Sequence, residues 1–134
     1  MRIEALHRAD ARAVMAEVAG PAALLVAKAH KIHDRIDSGH DRRLEDKDAA
    51  DVFRLMQSTS PEDVGRTLAH LRQDRLSSGV SVAATAYLDE LFGRRGRPGV
   101  AMAARALRSV VPEARVTAIC AAYVERMLYA ASER

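Results

Sequence analysis

This sequence predicts a mainly α fold: a helical bundle of about five or six helices preceded by a short N-terminal β-hairpin. Three observations carry the prediction. Apolar residues recur at helical spacing through most of positions 20–134, and Gly, Pro and Ser punctuate them at helix-length intervals. Residues 1–19 alone show period-two alternation. A chain of 134 residues with 49% apolar content has material for one core, so we expect a single domain, hairpin over 1–19 and bundle over 20–134.

Each element has its own grounds. Arg2-Ile3-Glu4-Ala5-Leu6 and Ala13 to Val18 alternate around the polar stretch His7 to Arg12, the pattern of two short strands and a loop. Gly20-Pro21 ends the hairpin and opens a helix from Ala22 to about Ile36, with Leu24, Leu25, Ala27, Ala29, Ile32 and Ile36 at helical period. After the polar loop Asp37 to Arg43, a second helix runs from Leu44 or Glu45 to about Gln57, with Ala49, Val52, Phe53 and Met56 on one face. Ser60-Pro61-Glu62-Asp63 joins a capping Ser, a first-turn Pro and two acids, and starts a third helix that carries Val64, Leu68 and Leu71 to about Leu76. Ser77-Ser78-Gly79 breaks it. A fourth helix spans about Val82 to Phe92 with Ala83, Ala86, Tyr87 and Leu91 as its stripe. Beyond the Gly93 to Gly99 loop, a fifth covers Val100 to Val110. Pro112 opens the last, to about Ala131, with Val116, Ile119, Cys120, Tyr123, Met127 and Leu128 inward.

Composition removes several function classes. One cysteine excludes an intramolecular disulfide framework and a Cys-rich zinc site. No apolar run reaches the ~18–20 residues of a membrane span and Met1-Arg2-Ile3-Glu4 is no signal peptide, so the expectation is a cytoplasmic protein without membrane partners. Lys+Arg 21 against Asp+Glu 18 gives +3, with acids interspersed among the bases, which is the pattern of a mixed solvated surface. Aromatics at 4% and no Trp leave little for single-strand stacking.

The most informative stretch runs from Ala23 to Met56. Lys28, Lys31 and Arg35 are spaced i, i+3, i+7 and share one side of the first helix. Lys47, Asp48 and Asp51 fall at the start of the second, where the helix dipole favours carboxylates. A cation row facing an acidic helix start reads in two ways: as a structural ion-pair lock between helices, or as the rim of a phosphate site.

The Leu-Leu-x-x-Lys helix ending at Lys28, the downstream Arg, and Lys47-Asp48-x-x-Asp51 resemble the C-terminal part of AbiEii-like, MNT-type nucleotidyltransferase-fold proteins. Those include toxins of type IV toxin–antitoxin systems. The likeness covers about Ile3 to Met56, and it implies that Lys28 and the Lys47, Asp48, Asp51 set lie beside a nucleotide site or descend from one. That fold keeps its metal carboxylates as Asp-x-Asp on a strand, after a Gly-Ser or Gly-Gly turn. Asp46-Lys47-Asp48 has the letters but sits at a helix start with no Gly turn before it. Two-metal chemistry needs rigidly placed carboxylates. The resemblance therefore implies a chain that begins too late to hold those motifs and is non-catalytic alone. Mg and a nucleoside triphosphate would enter only with an upstream catalytic domain; an antitoxin is the other implied partner. The orphan hairpin implies a homodimer paired through residues 1–19.

Weaker constellations remain. His30, His33, Asp34 and Asp37 have i, i+3 and i, i+4 spacings known from zinc sites, but nothing in sequence brings His40 or His70 to them, and no metal site is assigned. Cys120, in an apolar run, reads as a buried thiol. Arg94-Arg95-Gly96-Arg97-Pro98 resembles an AT-hook core and supports an alternative, a DNA-binding regulator that uses Arg94, Arg95 and Arg97. Ser60 to Phe92 lacks the compact reading face of a helix–turn–helix. A purely structural α-helical oligomer is the third reading.

Overall fold

The computed structural model describes residues 20–36 and 42–132. They form six helices: α1 (Pro21–Ile36), α2 (Arg42–Ser58), α3 (Pro61–Arg72), α4 (Ser78–Phe92), α5 (Pro98–Ala106) and α6 (Glu113–Ser132). There is no strand among the described residues, and the predicted hairpin lies outside them. The most extensive pairings are α3 with α6 and α2 with α5, while α1 rests on α4 and α2.

Helix starts follow local chemistry. Pro21, Pro61 and Pro98 occupy first-turn positions, where a missing N–H costs nothing. Ser60 is extended at φ −85° and ψ 123°, and its Oγ accepts the Asp63 N–H at 3.2 Å. Helix ends depart further from expectation. α3 stops at Arg72 rather than Leu76 because Asp74 Oδ1 accepts the Leu76 N–H at 2.8 Å and Ser77 Oγ donates to the Leu71 carbonyl at 2.9 Å. Those bonds shorten the link, so α4 begins at Ser78 and includes Gly79, four residues before the expected start.

The core is one cluster of small aliphatic side chains with Phe53 and Phe92 among its largest members. α2 buries Ala49, Val52, Phe53 and Met56, and α3 buries Val64, Leu68 and Leu71, as the periodicity predicts. α1 turns differently: Leu25, Ala29 and Ile32 are buried, but Leu24 is 55% exposed and Ala27 faces solvent. α4 is also rotated from the predicted stripe. It buries Ser81, Ala84, Leu88, Leu91 and Phe92, with Ala86 outside. Ser81 can face inward because its hydroxyl donates to the Leu68 carbonyl at 2.8 Å, so no polar group is orphaned. α5 ends at Ala106, leaving Val110 79% exposed in the turn that follows.

Gly65 allows a close helix contact. A Cβ there would collide with the Met127 carbonyl and stand 2.8 Å from the Ala130 Cβ. The bare backbone of α3 lies directly on α6, and Arg72 Nη2 donates to the Ala131 carbonyl at 2.9 Å. No helix among the described residues is long and apolar enough to cross a membrane.

Candidate functional site

The cation row and the acidic helix meet. Lys28 lies next to the buried stripe of α1, so its stem covers apolar surface while its ammonium reaches α2. Lys28 Nζ donates to Asp48 Oδ1 at 2.8 Å and to Asp51 Oδ2 at 3.1 Å. Lys31, one turn on, lies 3.1 Å from Asp48 Oδ2, and Arg54 Nη1 binds Asp51 Oδ1 at 3.2 Å. Three cations thus surround two carboxylates. The Asp48 side chain is 8% exposed and that of Asp51 32%.

Two members of the predicted set stand apart from this contact. Lys47 is exposed and takes no part in the contact, although it lies one turn before Asp51 on α2. Arg35 is half-buried in the last turn of α1 and has interactions of its own. α2 begins at Arg42, which places Asp48 in its second turn, past the reach of the helix N-terminus; Lys28 and Lys31 hold that carboxylate instead.

The electrostatics follow from this geometry. Burial pushes the Asp48 carboxyl up, but the hydrogen bonds and charges of Lys28 and Lys31 outweigh it, and the net direction is below the ordinary value of 3.8. Burial likewise pushes the Lys28 ammonium down, and the bonds and charges of Asp48 and Asp51 carry it above 10.5. Both groups are held charged across the neutral range.

The histidines serve packing. His33 stacks on Tyr87 of α4 with centroids 3.7 Å apart and rings 12° from parallel. His30 meets the same ring edge-on at 5.2 Å, and its Nε2 donates to the Val80 carbonyl at 3.1 Å. Asp37 and His40 lie outside the described residues, His70 is exposed on α3, and the described residues contain no group of three metal-ligating side chains. Cys120 is fully buried, and burial pushes its thiol up to about 12.

The Arg94 to Arg97 segment is a turn rather than an extended arm. The Arg97 N–H donates to the Arg94 carbonyl at 3.3 Å and Gly96 has φ +84°, the left-handed third position of a type II turn. Arg94 and Arg95 are exposed, Arg97 is half-exposed, and Pro98 opens α5.

Several organising contacts have no signal in the sequence. Arg105 grips Asp46 in a fork, with bonds of 3.1 and 2.9 Å that tie α5 to α2. Arg126 holds Glu62 likewise at 2.6 and 3.0 Å. Thr59 Oγ1 donates to the Leu55 carbonyl at 2.6 Å and meets the Tyr123 hydroxyl at 2.5 Å, joining the α2–α3 link to α6. Glu45 is buried in the first turn of α2, beside Arg105. No family model, curated protein or solved structure matches the chain.

Proposed function

We propose that this chain is a nucleotidyltransferase-like helical module, non-catalytic alone, whose Lys28, Lys31, Asp48 and Asp51 cluster locks α1 to α2. One observation carries the lock: Lys28 bridges Asp48 and Asp51 across two helices, so the cationic and anionic groups of the motif neutralise one another; the nucleotidyltransferase likeness rests on the sequence resemblance over about Ile3 to Met56 alone. A nucleotide phosphate would have to displace two carboxylates to reach that ammonium, and a metal ion would have to displace two lysines to reach Asp48. The motif thus works as scaffold. Phosphoryl chemistry, with its Mg and nucleoside triphosphate, belongs in this reading to a separate catalytic unit docked on the module, in a cytoplasmic toxin–antitoxin or phage-defence setting.

Calorimetric titration with ATP, CTP, GTP and UTP in the presence of magnesium tests the assignment. No heat of binding is expected, and Lys28→Ala and Asp51→Ala are expected to lower the melting temperature. Nucleotide binding that Lys28→Ala abolishes without any change in the melt would make the cluster a binding site and overturn the scaffold role.

A further inference from the structure

We propose that the α4–α5 turn is a contact surface for the phosphate backbone of a nucleic-acid duplex, with Arg94, Arg95 and Arg97 as its cations. The inference rests on where the molecule groups arginines that no carboxylate holds: among the described residues Arg75, Arg108 and Arg115 also lack one but stand singly along the chain, whereas the turn carries three together. Arg54, Arg66, Arg105 and Arg126 are each held by a carboxylate, and Arg72 donates to a backbone carbonyl. Arg94, Arg95 and Arg97 are three cations within four residues. None has a carboxylate within 4.0 Å among the described residues, although Asp89 and Glu90 lie one turn earlier on α4.

The turn is preorganised. Its Arg97-to-Arg94 hydrogen bond, the left-handed Gly96 and the ring of Pro98 fix the backbone from which these side chains leave. The ends of such a turn lie within about 7 Å of each other. Each strand of a duplex carries one negative charge per ~3.4 Å of axis, so a turn of this span faces roughly two phosphates of one strand, and long arginine side chains reach a third beside them. Guanidinium forks match phosphate oxygens bidentately. An extended acidic peptide presents a like spacing, at most one charge per ~3.3 Å, but binds well only with apolar anchors. The exposed large apolar side chains, Leu24, Leu76, Val82, Val110 and Tyr129, all lie off the turn. Phe53 and Phe92 are buried and Tyr87 is stacked on His33, so no aromatic platform stands beside the arginines for unpaired bases. The contact is to backbone and independent of base sequence.

Fluorescence anisotropy of a labelled mixed-sequence DNA duplex between roughly 50 and 200 mM salt tests the proposal. Three neutralised phosphates predict a slope of log Kobs against log salt of about −2.7, at ~0.9 per contact. The triple variant R94A/R95A/R97A is expected to lose the binding with an unchanged melt. The corresponding triple lysine variant should keep the slope, and R66A should match the native protein. A native slope retained in the triple alanine variant would overturn the proposal, as would no anisotropy change at the lowest salt. Tighter binding of a polyglutamate peptide than of duplex at equal ionic strength would assign the turn to acidic proteins and overturn it too.

Discussion

Replacing Asp48 by Asn removes the best-buried charge of the α1–α2 contact and leaves the backbone alone. Lys28 keeps Asp51 at 3.1 Å, while Lys31, 42% exposed, returns to water. Exposed ion pairs contribute roughly 0.2–1 kcal/mol, and stripping one partner from a buried pair costs about 3–5 kcal/mol. Asp48 is buried but its lysines are only partly so, which places the loss near 2 kcal/mol. For a domain of this size that is about 8 °C in melting temperature. Asp51→Asn should cost only about 0.5 kcal/mol, because Asp48 still holds Lys28 and the freed Arg54 is 60% exposed. Acid denaturation supplies the second readout. The folded Asp48 carboxyl titrates below 3.8, so its contribution is complete above that value and lost as the pH falls through the folded pKa. Lys28, raised above 10.5, contributes below that value and loses its share as the pH rises past it. Thermal melts by circular dichroism from pH 2 to pH 7 should show a shallower acid limb for Asp48→Asn. A melt within ~1 °C of the native protein, or a larger loss for Asp51→Asn than for Asp48→Asn, would refute the reasoning.

Gly65→Ala should destabilise by about 1–3 kcal/mol in urea denaturation, because the added methyl must push α3 off the Met127 carbonyl; an unchanged midpoint would mean that the helices do not touch there. Cys120 should resist a thiol reagent in the native protein at pH 8 and react only on unfolding, and rapid native labelling would contradict its burial. The expected homodimer through residues 1–19 is checked by sedimentation at high micromolar concentration, where a monomer alone would end that expectation.

The sequence makes legible whatever depends on near neighbours. Helix starts at Pro21 and Pro61 follow from the proline ring, whereas Pro98, read as part of the loop before Val100, in fact opens α5; the Ser60 cap is readable three residues before Asp63 takes its oxygen. The Lys28 to Asp48 and Asp51 contact is legible because both rows repeat at helical spacing on two consecutive helices. Helix ends are less so: α3 stops where the Asp74 and Ser77 side chains capture backbone groups, and a composition of polar residues does not say which of them will. The rotation of α4 escapes a hydrophobic count, since Ser81 counts as polar until Leu68 offers a carbonyl. The Arg105–Asp46 and Arg126–Glu62 clamps join residues 59 and 64 positions apart, a pairing that only the fold specifies.

The seat that Gly65 makes for α6 has a consequence for vectorial synthesis. The α3 backbone is translated some sixty residues before Met127, Ala130 and Ala131 exist to cover it. Until those residues clear the ribosome, the nascent bundle carries a bare glycine groove, and the carbonyls that will close over it arrive last. A chain stopped before Met127 would therefore be released with this groove open and the Arg72 guanidinium without its carbonyl.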